Sequence, residues 1–243
     1  MPKLLNIAAY RFVDLPDAAA LRPAIIERTR GLKGTVLLAE EGINLVLAGE
    51  SQALRSFVDW LRGDARFAPI ETKESRSDAM PFRYMRVKLK REIIRMNHPA
   101  IQPGAGRAPA IDAATLARWL SQGCDDGGRP VVTLDTRNAF EVDHGAFEQA
   151  VDWRLERFSD FPRALAQHRA ALAGKTVVTY CTGGIRCEKA ALLMRAEGIE
   201  HVHQLDGGVL KYFETTETAP HWRGGCFVFD DRISLAPDLA PLA

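Results

Sequence analysis

No apolar run in the 243 residues approaches the ~20 needed to cross a bilayer. Cysteine is scarce: four residues and no repeated CxxC, which do not make a disulfide framework. Such usage points to reduced thiols and a cytoplasmic chain. There is no GxGxxG, Walker loop or HExxH, so the familiar dinucleotide, phosphate-loop and zincin signatures are missing. Net charge is only +1, and neither an internal repeat nor a low-complexity run appears. The first residues, MPKLLNIAAYRFVDL, reach Arg11 and Asp14 too soon for a signal peptide and read as a first β-strand.

What is present is ordinary in bulk but uneven in placement. Hydrophobic residues at 47% and charged ones at 26% suit a soluble globular chain long enough for two domains. Residues 1–110 hold 18 Lys and Arg against 12 Asp and Glu, a net of +6; residues 111–243 hold 14 against 19, a net of −5. A polyanion such as nucleic acid would explain that asymmetry, and so would two domains with different surfaces.

The pattern over residues 1–95 is strand, helix, strand, strand, helix, strand, the split βαβ of an α+β ferredoxin-like (acylphosphatase-like) domain. Its strands are expected at 4–12, 35–39, 43–48 and about 85–94, and its helices at 17–30 and 51–61. Residues 96–112 are rich in Pro, Gly and Ala and read as a linker. Residues 113–220 alternate helices with short β-branched strands, which predicts a central parallel sheet in an α/β domain. Residues 221–243 are left as a C-terminal tail, its Ala- and Pro-rich end expected to be mobile.

The chain is organised around residues 177–190, VVTYCTGGIRCEKA. A buried strand breaks at Cys181, passes Gly183 and Gly184 and enters a helix near Arg186. Strand, glycine loop and helix N-terminus together aim backbone N–H groups at an anion, an environment that favours a thiolate. Three readings compete: a buried structural cysteine at a turn, a phosphatase nucleophile, and a sulfur carrier whose Cys181 persulfide is held by the loop.

CTGGIR resembles the active-site loop of the rhodanese superfamily. Four residues separate Cys181 from Arg186, where related phosphatases have five. Tyr180 stands where those phosphatases commonly place histidine. Asp135, Arg137 and Glu141 resemble residues that brace the active-site region in that superfamily, and Asp206-Gly207-Gly208 resembles its closing turn. The resemblance narrows further with four motifs in order: LKGTVLLAEEGIN (32–44), KESRSDAMPFRYMRVKLKREI (73–93), CTGGIRCEK (181–189) and WRGGCFVFDDR (222–232). Together they resemble the bacterial tRNA uridine hydroxylase family with a rhodanese domain. That implies a tRNA-modifying oxidoreductase that hydroxylates wobble uridine 34 to 5-hydroxyuridine with molecular oxygen as co-substrate. Longer members of that family carry a cysteine-rich extension after the segment matching Cys226.

The resemblance makes Cys181 the catalytic thiolate or persulfide, stabilised by the amides of Thr182, Gly183, Gly184, Ile185 and Arg186 and by the Arg186 guanidinium. Cys187 is either a resolving thiol or a small buried helix residue. Cys124 and Cys226 read as unremarkable thiols. His201 and His203 share a strand face, but no third ligand lies beside them in sequence, so no metal is assigned. No flavin site is identifiable either, and the cofactor stays unknown. On a strand over 86–94, Arg86, Lys88 and Lys90 share one face and suit an RNA backbone beside Tyr84, while Val87 and Leu89 turn to the core. The partner implied is tRNA, with no membrane. The alternative function is a sulfurtransferase acting on tRNA or a protein; the third is an RNA-binding module without catalysis.

Overall fold

The computed structural model describes residues 4–242. These fall into two compact units: one is the chain up to Arg95 with Phe229–Arg232, the other Met96–Val228 with the chain from Ile233 on.

In the first unit β1 (Leu4–Phe12) leads to α1 (Ala18–Arg28), then to β2 (Lys33–Ala39) and β3 (Gly42–Glu50), which form a hairpin. After these come α2 (Ser51–Arg62), β4 (Lys73–Ser77) and β5 (Met85–Leu89). The sheet order is β4-β1-β3-β2-β5. The first four strands make the expected ferredoxin-like arrangement, with Leu5, Ile7, Leu45 and Leu47 packing against Leu54, Phe57 and Leu61 of α2 in one buried cluster. Leu54, Phe57, Val58 and Leu61 recur at helical spacing, which explains why α2 forms and which face it buries.

The fourth strand of that fold is not the one expected near residue 85. It is Lys73–Ser77, antiparallel to β1. KESRS carries no apolar alternation because an edge strand with a polar outer face needs none. Met85–Leu89 is a fifth strand, parallel to β2, extending the opposite edge. It ends at Leu89, so Lys90 lies just beyond it, its N–H donating to Leu38 O at 2.8 Å. Val87 is buried as expected, but Leu89, at the end of this edge strand, is 47% exposed. The next turn is tied to the β2–β3 hairpin: Ile93 N–H donates to Glu41 Oε1 at 2.7 Å, and Asn44 Nδ2 donates to Ile93 O at 3.2 Å. Glu41 and Asn44 belong to the motif at 32–44, which thereby gains a structural role.

The second unit contains β6 (Ala110–Ile111), α3 (Ala113–Gln122), β7 (Val131–Asp135), α4 (Ala139–Val142), β8 (Gly145–Phe147) and β9 (Val151–Asp152). It continues with α5 (Phe161–His168), β10 (Thr176–Tyr180), α6 (Ile185–Ala196), β11 (Val202–Leu205), α7 (Gly208–Thr215), β12 (Trp222–Gly224), β13 (Cys226–Phe227) and β14 (Ser234–Leu235). Its main sheet runs β6-β11-β10-β7-β9, parallel throughout. The rhodanese-like α/β domain is therefore present, with β10 central and every residue from Thr176 to Tyr180 buried. Asp112 caps α3 by accepting Thr115 N–H at 2.7 Å.

The expected linker and the expected tail both carry strands. Within residues 96–112, β6 adds an edge strand to the parallel sheet, and Met96 and Ala108 are buried. Within residues 221–243, β12 pairs with β8 and β13 with β14, while residues 229–232 join the first unit. There Asp231 N–H donates to Pro81 O at 3.0 Å and Arg232 Nη1 to Ser75 Oγ at 2.7 Å. Among the described residues no helix is long and apolar enough to cross a membrane.

Candidate active site

Ligands of parallel sheets gather at the carboxyl ends of the strands. Asp135 ends β7, and Cys181 follows directly on β10, its neighbour in the sheet. Between Cys181 and α6 the chain turns through Gly184, whose φ of +98° is the left-handed conformation that glycine adopts without strain. This turn brings Gly184 N–H to 3.2 Å from Cys181 Sγ.

Cys181 is fully buried. Burial alone would push its thiol up. It is outweighed by a hydrogen bond from the Cys187 thiol, by the charge of Arg186, and by the backbone N–H groups of Cys187 and Arg186, so the pKa falls to about 5. These contacts favour the Cys181 thiolate over the thiol. Burial and the adjacent Cys181 thiolate push Cys187 well above the ordinary thiol range. Its Sγ lies 3.0 Å from Gly184 O, so its S–H has both that carbonyl and the Cys181 sulfur as acceptors.

Arg186 adds its charge to the loop and is itself held by Glu141. Its Nη1 and Nη2 donate to the two carboxylate oxygens of Glu141 at 2.5 and 2.7 Å, and the pair is buried. The guanidinium acts on Cys181 through its charge, while its hydrogen bonds hold α4 against the loop. Glu141 also accepts Asn138 N–H at 3.0 Å, and its pKa is lowered: Arg186 and these bonds overcome a large opposing cost of burial. Thr182 turns its hydroxyl to Glu141 Oε1 at 3.4 Å and Phe227 O at 3.5 Å. Ile185 opens α6 and is buried.

Asp135 and Arg137 form a second buried pair, joined by Nε and Nη2 bonds of 2.7–3.2 Å. Arg137 Nη2 donates onward to Gly145 O at 2.6 Å, and its guanidinium faces the rings of Tyr180 and Trp222 at 5.6 and 5.2 Å. Asp135, Arg137 and Glu141 therefore meet around the loop.

The Asp206-Gly207-Gly208 turn does more than close the domain. Val209 and Leu210, in the first turn of α7, donate N–H bonds to Cys181 O and Thr182 O, both at 3.0 Å. With its carbonyls tied outward, the loop keeps its amides facing the sulfur. Gly208, at φ +67°, passes so close that a Cβ there would stand 2.4 Å from Cys181 O.

Two participants escaped the sequence reading. Cys226 is buried and hydrogen-bonded to Thr182, its thiol pushed up to about 12 by burial. It arrives on β13, a two-residue strand too short to leave a pattern. Arg107 bridges Asp206 at 2.6 Å and Glu188 at 3.3 Å, tying the Pro/Gly-rich connection to the turn and to α6. A lone arginine among Pro, Gly and Ala carries no signal of that bridge. Among the described residues no three His, Cys, Asp or Glu side chains converge on a metal position. His203 instead meets Trp119 edge-on at 5.5 Å.

Two family descriptions match: the UPF0176 acylphosphatase like domain over residues 4–93 and the rhodanese-like domain over residues 116–215. A Delftia acidovorans protein named tRNA uridine(34) hydroxylase is 64% identical, the match covering 100% of this chain and 94% of that one. Proteins of that name from Bordetella petrii and Burkholderia pseudomallei are 63% and 58% identical; the matches cover 99% and 98% of this chain, and 96% and 82% of theirs. The chain belongs to the tRNA uridine(34) hydroxylase family. In this hydroxylase-family chain, the loop at Cys181 and the turn at Gly208 fall inside the matched rhodanese-like region, whereas Cys226 and Trp222 lie outside it.

Proposed function

We propose that this protein is a tRNA uridine(34) hydroxylase that forms 5-hydroxyuridine at the wobble position with molecular oxygen, and that Cys181 is its essential sulfur. The observation that carries this reading is full-length similarity at about the 60% level to proteins of that name, combined with a buried cysteine that the loop amide of Gly184 faces. Cys181 supplies a nucleophile that is ionised at working pH, as a thiolate or as a persulfide anion. Gly184, Arg186 and Cys187 N–H groups hold its charge, and Cys187 is the adjacent thiol able to hydrogen-bond it. Glu141, Asp135 and Arg137 position the loop. Arg86, Lys88 and Lys90 contact the RNA backbone, and all three are exposed on or just after β5.

The test is mass spectrometry of tRNA nucleosides from cells lacking the protein. Loss of 5-hydroxyuridine, restored by the wild type and not by Cys181→Ala, is the expected result. Unchanged 5-hydroxyuridine with altered tRNA thiolation would overturn it in favour of sulfur transfer.

A further inference from the structure

The first unit carries a cleft of about 660 Å³ between α1, the α1–β2 turn and β5. Its size lies within the roughly 300–1,000 Å³ of small-molecule sites. Five cationic residues line it: Arg22 on α1, Arg30 in the turn, Lys33 opening β2, and Arg86 and Lys88 on β5. No carboxylate does. Glu27 stands nearby, paired with Arg30 at 2.7 Å, but both side chains are exposed and such a pair is weak in water. Its apolar lining is Ile26, Leu32, Met85 and Val87, of which Leu32 and Val87 are buried. Arg22 is fixed across the cleft, its Nε donating to Val87 O at 3.0 Å. Next to the β5 residues that line the cleft, Tyr84 is 64% exposed, and the Arg86 guanidinium sits 5.6 Å from its ring.

A cationic groove beside an exposed aromatic ring is the combination that holds unpaired nucleic acid: phosphates follow the cations and a base stacks on the ring. A paired A-form stem would not offer a free base to Tyr84. We propose that this cleft seats an unpaired, looped segment of the tRNA, with backbone phosphates among Arg30, Lys33 and Arg86 and a base on Tyr84. This rests on the reading above that tRNA is the substrate. It differs from a contact made by the β5 face alone, because Arg30 and Lys33 come from other elements.

The experiment uses full-length Cys181→Ala protein, so that binding is read without chemistry. Affinity is measured for a tRNA transcript, its isolated anticodon stem-loop and a loopless duplex of equal length, over a range of salt. Adding Arg30→Gln, Lys33→Gln and Arg86→Gln is expected to weaken stem-loop binding at least about tenfold and to flatten the log–log salt slope by about 2. Tyr84→Ala is expected to weaken stem-loop binding without changing that slope. Circular dichroism checks that each variant is folded, and Tyr84→Ala leaves every lining cation in place should the triple variant unfold. A folded triple variant with unchanged affinity and slope, or duplex binding as tight as stem-loop binding, would overturn the proposal. Because 5-hydroxyuridine is measured separately, in cells, loss of the functional reading would leave the cleft result standing, and the reverse.

Discussion

The carboxylate of Glu141 takes both Nη groups of Arg186, at 2.5 and 2.7 Å, inside the protein. The arginine whose charge favours the Cys181 thiolate is thus held in place by an acid forty-five residues upstream. Breaking one side of a buried pair leaves an uncompensated charge and costs about 3–5 kcal/mol. Glu141→Gln is expected to lose stability of that order in urea denaturation. Its Cys181 pKa should stay low or fall, since a nearby negative charge is removed. Arg186→Met should raise that pKa instead. A rise in Glu141→Gln would contradict the assignment.

A thiolate at Cys181 would be directly observable. Absorbance at 240 nm, as the difference from Cys181→Ala, is expected to titrate with a midpoint near 5. Cys187→Ala should move the midpoint up, because a hydrogen bond to the thiolate is lost. The folded value lies below the ordinary 9.0, so in the window between them the unfolded chain binds the extra proton. The stabilisation is complete above pH 9, declines as pH falls, and is gone below pH 5. Cys181→Ala should therefore flatten the stability profile between those limits by up to about 1.4 kcal/mol per pH unit. Equal slopes in both proteins would refute a thiolate.

The two glycine positions Gly183 and Gly208 are predicted to behave oppositely. A Cβ at Gly183 meets nothing within 4 Å, whereas at Gly208 it would meet Cys181 O at 2.4 Å and Gly184 N at 2.6 Å. Gly208→Ala is expected to cost at least about 1–2 kcal/mol from its left-handed backbone alone. The clash should also displace the loop and raise the Cys181 midpoint. Gly183→Ala should leave stability within about 1 kcal/mol. Similar melting temperatures for the two variants would count against the tie between α7 and the loop.

What could be read from the sequence follows from how local each signal is. The strand-loop-helix at Cys181 is contiguous, and its anion-holding geometry is written in adjacent residues. The helices α2 and α3 announce themselves by apolar spacing and by the Asp112 cap. Alternation points to the wrong fourth strand, because KESRS has none and RYMRVKL nearby has it. Alternation also turns Leu89 toward the core, because it is blind to where a sheet ends. Cys226, Trp222 and Arg107 reach the site through pairings of two or three residues or through single ion pairs, and their partners lie tens of residues away. No window of sequence holds both halves of those contacts.

Trp222 shows how much depends on them. Its ring meets Phe147 at 5.0 Å, Phe213 at 5.5 Å and Tyr180 at 6.1 Å, all edge-on, and lies 5.2 Å from the Arg137 guanidinium. Its strand gives β8 its partner, with Trp222 opposite Phe147. Arg137 in turn holds Asp135, which ends the strand beside Cys181. Trp222→Ala is expected to cost about 3–5 kcal/mol, as for other buried aromatic truncations. Trp222→Phe should recover a good part of this by keeping an aromatic face toward Arg137. A chain cut after residue 220 should fare worse than Trp222→Ala, because it also removes Cys226 from beside Thr182 and the backbone bond from Gly225 N–H to His144 O. Urea midpoints of the three proteins, with the 240 nm titration of Cys181 in each, check the order. A truncated chain with wild-type stability and an unmoved thiolate would mean that residues 221–243 are a tail after all.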